Sequence, residues 1–470
     1  MRYFNTQIES LDMYQRQIYY WSVLFDRRNN IQVLDNVNFS SEVFPEILKV
    51  SEIVNLHPLE PGYGSPDASC ELGEIIRKFE FERLMKHQPE RRQLNEQFSQ
   101  EAGVGCAIGT TNVMSSILKS ITQLTDREYR RANSHPEIIL VLPNYAVYAA
   151  QVKQMIPSIK PVFVNSKRET GFLATYEDIA EAVTENTIAI VITYPNNPAQ
   201  TTYEGERLFE LKRMIEFCQK SEIFLVIDTI YQDLLFPCGR RFEEPFGLSE
   251  SLNYLVKVYS PSKDTPFFSG YRIGYWFGDP RLTENFRFQV SADINALTTI
   301  SMSLLGVSLL IRSLLLSQEQ LLAEHLNILK SGMFGWRSDI DINKCLDKFL
   351  EMNLIENYKS RMAISNSIQE KGIKLVRDFC KSSLIFEDFC NEDIGNVCFL
   401  KLDNSFYQGS DDSLVELLMD KVGVGVLPGN VFGIPMDSNE VWIRITLTHD
   451  YVKNLISGLE KIEDYFAKRR

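Results

Sequence analysis

Short apolar runs rich in β-branched residues recur through the middle of the chain and constrain its fold more than any other feature. They show no polar alternation, which is typical of strands buried on both faces. Helical patterns separate them, as at 204–221, and Thr175 followed by Asp178 is typical of a helix start. This alternation predicts an α/β fold with a mostly parallel sheet. The runs are EIILVL (137–142), KPVFVN (160–165), TIAIVITY (187–194), IFLVID (223–228) and YLVKVY (254–259).

The C-terminal part has a different pattern. Long helical stretches at 357–379 and 450–470 enclose the strand-like segments VCFLKLD, VGVGVL and VWIRITLT. This combination predicts a smaller α+β domain. The expected parts are an N-terminal arm or part of the small domain (1–55), a large ligand-binding domain (56–314), a helical insertion (315–352) and a small C-terminal domain (353–470).

Charge and composition disfavour several classes of partner. The net charge is −13 and no Lys/Arg-rich run occurs, so we expect neither a nucleic acid nor a membrane as partner. The most apolar region, 296–311, is interrupted by Thr, Ser and Gly and predicts a buried helix, and the N-terminus lacks the apolar core of a secretory signal. The eight Cys include no C-x-x-C motif and the five His are scattered, so we expect free thiols, a reducing cytoplasmic location and no protein metal site.

A lysine follows the end of the last apolar run. Lys263 comes directly after Ser260-Pro261-Ser262, and Arg272 lies further on inside G-Y-R-I-G. Ligands bind beyond the carboxyl ends of parallel strands, where a lysine amine can form a Schiff base with an aldehyde. The hydroxyls and the guanidinium are suited to a phosphate. An aldehyde that carries a phosphate indicates pyridoxal 5′-phosphate (PLP), although S-x-S-K by itself is also compatible with a solvated surface lysine.

The other predicted strand ends carry residues that suit the same cofactor. Asp228 ends one run and Tyr231 follows it; a carboxylate at a pyridine nitrogen keeps the ring protonated, and a phenol suits the 3-oxygen. Asn197 follows another run and its amide suits the 3-oxygen as well. The alternatives are a helix N-cap for Asp228 and an ordinary Asn-Pro turn for Asn197.

Two further segments complete the set. Thr110 and Thr111 follow Gly109 at a predicted helix N-terminus, where free N–H groups attract phosphate. Tyr145 follows the run that ends at 142 and offers a ring for stacking. The alternatives are a capping threonine and a half-buried core tyrosine.

These residues and their chain order resemble the class I/II aminotransferases, which are fold-type I PLP enzymes, from about residue 50 to the C-terminus. The resemblance implies that Lys263 forms the internal aldimine and then moves the proton between the substrate Cα and the cofactor carbon. It implies that Asp228 pairs with the pyridinium, that Tyr231 and Asn197 hold the 3-oxygen, and that Tyr145 stacks on the ring. The implied phosphate ligands are Thr110, Thr111, Ser260, Ser262 and Arg272.

The resemblance extends to both ends of the chain. Arg444 in VWIRITLT matches the arginine that binds the substrate carboxylate; without the family, an exposed strand arginine is the alternative. Tyr63 in PGYGSPD matches a tyrosine that reaches the neighbouring subunit's phosphate, which implies a homodimer with shared active sites. The chain departs from the family at Ala199-Gln200, where Thr-Gly is usual.

The implied reaction is the transfer of an amino group from an amino acid to a 2-oxo acid. The alternative is a non-transaminating enzyme of the same fold that acts on an amino acid: a cyclase, a γ-elimination lyase similar to aminocyclopropane carboxylate synthase, or an oxidase. A PLP-binding transcription regulator is disfavoured, because only about 50 residues precede the core and the net charge is negative. The substrate stays open, since no second arginine for a distal carboxylate can be placed.

Overall fold

The computed structural model describes residues 12–35, 65–129, 135–155, 159–234, 242–265, 268–332, 341–435, 440–447 and 452–469. The α-helices there are α1 (Met13–Arg27), α2 (Ser69–His87), α3 (Arg92–Glu101), α4 (Gly109–Tyr129), α5 (Val147–Met155), α6 (Tyr176–Ala182), α7 (Arg207–Lys220), α8 (Thr283–Ile294), α9 (Thr299–Ser317), α10 (Ala323–Gly332), α11 (Ile342–Glu351), α12 (Leu354–Ser382), α13 (Asp411–Leu417) and α14 (Val452–Ala467). The strands are β1 (Gln32–Val33), β2 (Gly103–Ala107), β3 (Glu137–Leu142), β4 (Lys160–Asn165), β5 (Thr187–Thr193), β6 (Phe224–Asp228), β7 (Leu255–Tyr259), β8 (Gly274–Gly278), β9 (Phe386–Cys390), β10 (Val397–Leu402), β11 (Val424–Gly425), β12 (Leu427–Pro428) and β13 (Val441–Thr446).

The larger sheet has the strand order β2-β8-β7-β6-β5-β3-β4. Strands β3 to β7 are parallel to their neighbours within that group, whereas β8 runs antiparallel to both β2 and β7. The five apolar runs of the sequence form β3 to β7, and their bounds agree with the prediction to within one residue. The predicted mostly parallel α/β sheet is therefore confirmed.

The prediction that both faces are buried is confirmed for four of these strands and is wrong for the fifth. Every residue of β3, β5, β6 and β7 is buried. Strand β4 is instead largely exposed at Lys160, Phe163 and Asn165. The reason is its place at the edge of the sheet, where it pairs only with β3.

Helix α9 is the apolar stretch that the sequence marks as a buried helix. In the described part of the chain it is the helix that could cross a membrane by length and composition, yet 78% of its most apolar window is buried inside the fold. It packs along α2. The prediction of a core helix is therefore confirmed. The helices that follow it also contribute core residues, because Leu326 and Phe349 join the apolar cluster that includes α9.

The smaller sheet is antiparallel, in the order β12-β13-β10-β9, and contains the predicted segments at 397–403 and 441–448. Strand β9 was not predicted. The N-terminal segment joins this part: β1 pairs in parallel with β11, and Tyr20, Val23 and Leu24 of α1 lie in the same apolar cluster as the small sheet. The domain boundaries stay a prediction.

The helix start that the sequence predicts at Thr175 and Asp178 is confirmed. Thr175 caps α6, because its hydroxyl accepts from the Asp178 N–H at 3.2 Å while the Asp178 carboxylate accepts from the Thr175 N–H at 2.9 Å. This reciprocal pair is a capping box. The seven cysteines in the described ranges are free thiols, and five of them are buried.

Candidate active site

Four neighbouring strands of the large sheet, β7, β6, β5 and β3, deliver the predicted residues to one edge. Lys263 follows β7, Asp228 ends β6, Asn197 follows β5 and Tyr145 follows β3. Because these strands are parallel, their carboxyl ends meet at the same edge. The structure thus brings these side chains together, as their positions at strand ends predict.

The Lys263 side chain is half-buried at this edge. Its pKa is lowered to about 8, chiefly by burial and then by the guanidinium groups of Arg444 and Arg272. The carboxylates of Asp35 and Asp228 act on it in the opposite direction. Lys263 is therefore an amine that loses its proton far more readily than a surface lysine.

Asp228 is 4% exposed, and burial raises its pKa to about 6. Its Oδ2 accepts a hydrogen bond from the Tyr148 hydroxyl, and its Oδ1 accepts from the Ile230 N–H at 3.1 Å. Both bonds favour the carboxylate form and limit the rise. Tyr148 was missed in the sequence, although it stands three residues after Tyr145, in the first turn of α5.

Two tyrosines line the same recess. Tyr231 is buried, and burial raises the pKa of its phenol despite the nearby Arg444. Tyr145 is half-buried with a raised pKa; its ring lies edge-on to Tyr148 at 5.6 Å and 6.5 Å from Trp21 of α1. Both phenols therefore keep their protons at neutral pH and can donate hydrogen bonds.

The N-terminus of α4 lies against the guanidinium of Arg272. A Cβ built on Gly109, whose φ is +69°, would lie 2.8 Å from Arg272 Nη2, so only glycine admits this approach. Strand β8 runs against β7, which places Arg272, two residues before β8, at the edge where the parallel strands end. A Cβ on Gly274 would likewise lie 2.9 Å from the Thr110 N atom. The segment that carries Arg272 therefore packs against the first residues of α4, Gly109 and Thr110.

Arg272 is exposed and has a positive φ of 49°, which a non-glycine residue rarely adopts. It donates to the Ser269 carbonyl at 3.3 Å, and no carboxylate in the described ranges forms an ion pair with it. A guanidinium without a counter-ion, beside a helix N-terminus, is an arrangement that attracts an anion.

The predicted hydroxyls differ in how far they are engaged. Ser260 is fully buried; its Oγ donates to the Ile273 carbonyl at 2.7 Å and accepts from the Ser262 N–H at 3.2 Å. The side chains of Ser262, Thr110 and Thr111 are only half-buried. Ser260 therefore shapes the loop, and the other three hydroxyls remain more accessible to a ligand.

Arg444 on β13 is 4% exposed, so an exposed strand arginine is excluded. Its Nε and Nη2 donate to the two carboxylate oxygens of Asp35 at 2.8 and 2.9 Å, and its Nη1 donates to Asn197 Oδ1 at 3.3 Å. The Phe432 ring covers one face of the guanidinium at 4.6 Å. Asp35 was missed, because nothing in the N-terminal sequence marks it as a neighbour of this arginine.

The residue after Lys263 fixes the backbone of this segment. Asp264 is 1% exposed and accepts hydrogen bonds from Tyr259 on β7 and from Arg312 on α9, the latter at 3.0 Å. Charge-assisted bonds of this kind hold a side chain in one geometry. Asp264 thereby links the chain directly after Lys263 to both the sheet and the core helix.

Two other predictions concern the rim of the site. Tyr63 lies outside the described residues. Gln200, which stands where the family usually has glycine, has a positive φ of 51°, so the turn keeps the glycine-like conformation. The Gln200 side-chain amide donates to the Asn196 carbonyl at 2.7 Å, which stabilises the turn.

The fold is that of the fold-type I PLP enzymes. A Thermus thermophilus aspartate aminotransferase solved with maleate superposes with a TM-score of 0.70, at 16% identity over 99% of this chain and 100% of the other. An aspartate aminotransferase from Rhizobium meliloti superposes with a TM-score of 0.69, at 17% identity over 99% of each chain. Residues 85–326 match the sequence profile of aminotransferase class I and II. This protein belongs to that family.

The similarity to characterised sequences is partial. A probable aspartate/prephenate aminotransferase of Aquifex aeolicus is 27% identical over 299 residues, which cover 64% of this chain and 63% of that protein. An aspartate aminotransferase of Bacillus subtilis is 33% identical over 142 residues, which cover 30% of this chain and 35% of that protein. The matched regions thus span less than two thirds of these relatives.

Proposed function

We propose that this protein is a PLP-dependent aminotransferase that transfers the amino group of an amino acid to a 2-oxo acid. The observation that carries the proposal is the meeting of three groups at one sheet edge: the amine of Lys263, the buried carboxylate of Asp228 and the buried guanidinium of Arg444. Membership of the aminotransferase family supports it.

The phosphate end of the cofactor fits the N-terminus of α4. Gly109 leaves room for Arg272 to lie against the helix, and Arg272 has no carboxylate partner among the described residues. The N–H groups of Thr110 and Thr111, the hydroxyls of the same residues and of Ser262, and the guanidinium supply donors to a phosphate.

The ring end fits the opposite side of the recess. Asp228 suits the ring nitrogen because a buried carboxylate there keeps that nitrogen protonated. Tyr231 and Asn197 suit the 3-oxygen: the Oδ1 of Asn197 accepts from Arg444, which leaves its amide NH₂ to donate. Tyr145 suits one face of the ring. When bound, PLP supplies an aldehyde for an amine and a protonated pyridine that withdraws electrons.

Lys263 and Arg444 would then act on the substrate. With a pKa of about 8, Lys263 is neutral in about a tenth of molecules at pH 7, so its amine would be available to hold an aldehyde cofactor. Once released by the substrate amine, it is placed to move the proton between the substrate Cα and the cofactor carbon. Arg444 would bind the substrate carboxylate and fix its orientation.

The test is an amino-group balance. Purified protein is loaded with PLP and supplied with single amino acids and, in separate samples, the monocarboxylic 2-oxo acid pyruvate or the dicarboxylic 2-oxoglutarate, and both the consumed amino acid and the newly formed one are measured. Equal amounts are expected. Consumption without transfer would overturn the proposal in favour of a cyclase, lyase or oxidase.

Lys263→Ala is the matching variant, with the exposed Lys359→Ala on α12 as control. We expect the first to lose both transfer and the visible absorbance of the bound cofactor, and the second to keep both. Normal transfer by Lys263→Ala would contradict the assigned role. The homodimer with shared sites and the cytoplasmic location stay predictions; sedimentation of the pure protein tests the dimer.

A further inference from the structure

Asp35 binds one side of the Arg444 guanidinium, the group that the proposed function assigns to the substrate carboxylate. A guanidinium has five N–H donors. In Arg444 the Nε–H and one Nη2–H bind Asp35, and one Nη1–H binds Asn197. One hydrogen on each terminal nitrogen remains for a ligand, so a carboxylate can approach Arg444 from the end but not from the side.

Asp35 is fixed in this position by its surroundings. The preceding residue, Leu34, is held on both sides: its N–H donates to the Gly425 carbonyl at 2.7 Å, and its carbonyl accepts from the Thr446 N–H at 2.9 Å. The Thr446 hydroxyl also donates to Asp35 Oδ1 at 3.0 Å. Asp35 is 5% exposed. It is therefore a built part of the site rather than a surface group that happens to reach it.

The charges of the recess balance because of Asp35. The charged groups that act on Lys263 are the cations Arg444 and Arg272 and the anions Asp35 and Asp228. In the proposed complex a phosphate would neutralise the charge of Arg272, and a protonated ring nitrogen would neutralise that of Asp228. The charge of Arg444 is already neutralised by Asp35. A substrate with one carboxylate then adds one negative charge, and a second carboxylate would add another without a further cation to meet it among the described groups that act on Lys263.

Arg287 does not supply that cation within the chain. It lies on α8, where it forms ion pairs with Asp67 at 3.6 Å and Glu284 at 3.5 Å and donates to Ser69 at 3.1 Å. Its guanidinium is thus engaged by two carboxylates.

We propose that Asp35 is a specificity-determining residue, which makes the enzyme favour amino acids with a single carboxylate over dicarboxylic ones. This inference rests on the proposed function and narrows its substrate class. It differs from the substrates named for two relatives, a probable aspartate/prephenate aminotransferase of Aquifex aeolicus and an aspartate aminotransferase of Bacillus subtilis.

The experiment compares isosteric pairs of amino acids, aspartate with asparagine and glutamate with glutamine. Each pair shares the α-carboxylate and differs in the side-chain charge, so the ratio of dissociation constants isolates the effect of the second carboxylate. Binding to the PLP-loaded protein is followed by the change in visible absorbance, which needs no turnover. We expect the wild type to bind each amide on the order of tenfold more tightly than the acid, because like charges within about 12 Å repel by that amount at an effective dielectric near 20.

The variant Asp35→Asn should reduce this preference on the order of tenfold. It should also lower the pH midpoint of the visible absorbance, because the loss of the Asp35 negative charge disfavours a protonated nitrogen at the position of Lys263. The control is Asp412→Asn, which removes a buried carboxylate that binds Arg16 and Tyr20 of the same N-terminal segment and is not among the charged groups named as acting on Lys263. The control should keep the wild-type ratio.

The outcomes separate the inference from the proposed function. Equal binding of acid and amide by the wild type would overturn the inference whether or not Asp35→Asn folds. An unchanged ratio in Asp35→Asn, or an equal shift in Asp412→Asn, would also overturn it and leave the aminotransferase proposal intact. A wild-type protein with no visible absorbance after loading would overturn both.

Discussion

Replacement of Asp228 by asparagine should stabilise the cofactor-free protein while it removes activity. Burial raises the pKa of Asp228 to about 6, whereas an unfolded chain has about 3.9 for this group. The folded carboxyl therefore holds its proton more tightly than the unfolded one. The associated stability is fully present below about pH 4 and is lost as the pH rises through about 6, which amounts to roughly 3 kcal/mol. The asparagine side chain of the variant does not titrate and keeps similar hydrogen-bonding partners, because the Tyr148 hydroxyl can turn and accept from the new amide.

The assay is urea unfolding of the cofactor-free wild type and Asp228→Asn between pH 4 and 8. We expect the stability difference between them to grow from near zero at pH 4 to at most about 3 kcal/mol at pH 8, in favour of the variant. The exposed Asp347→Asn serves as control and should show no such growth. A difference that is independent of pH, or a variant that is less stable at pH 8, would refute the reasoning that burial dominates at Asp228. Loss of amino-group transfer in the same variant would place the residue among groups that trade stability for function.

Three further predictions follow from the site. The rate at which cofactor-free protein takes up PLP should rise with pH to a plateau with a midpoint near 8, the pKa of Lys263; a midpoint near the ordinary lysine value would contradict the effect of burial. Arg272→Gln should weaken PLP binding, measured by equilibrium dialysis, on the order of tenfold to a hundredfold, because it removes charge-assisted hydrogen bonds; unchanged binding would contradict its phosphate role. The hydrogen bond from Tyr148 lowers the pKa of Asp228, so Tyr148→Phe should raise that pKa. The pH at which the stability changes because of Asp228 should then move upward, and an unchanged pH would show that the bond has no such effect.

The main sheet and the order of the site residues were predictable because both are local properties of the sequence. Buried parallel strands leave uninterrupted apolar runs, and the polar residue that ends such a run, as Asp228 does, must lie at the carboxyl edge. Helix starts such as that at Thr175 are equally local. The exposure of β4 was not predictable in this way, since an apolar run does not reveal whether its strand has one neighbour or two.

The side chains that tune the site were harder to find. Tyr148 carries a weak local signal, its spacing from Tyr145 on one helix turn. Asp35 carries none: it meets Arg444 only because β1 pairs with β11 and Leu34 bonds to Thr446. Long-range pairings of this kind depend on the tertiary fold, and no periodicity of the N-terminal sequence encodes them.

The ion pair between Asp35 and Arg444 also orders the assembly of the enzyme during synthesis. The two residues are 409 positions apart, so the pair cannot form until nearly the whole chain has left the ribosome. Lys263, Asp228 and the N-terminus of α4, which we assign to the cofactor, all lie within 109–272 and emerge much earlier. Contacts between residues so far apart in sequence generally slow folding, because the entropy of closing the loop is lost before the contact forms. A nascent chain would thus contain the residues that we assign to cofactor binding before Arg444 is available to pair with Asp35 and select among amino acids.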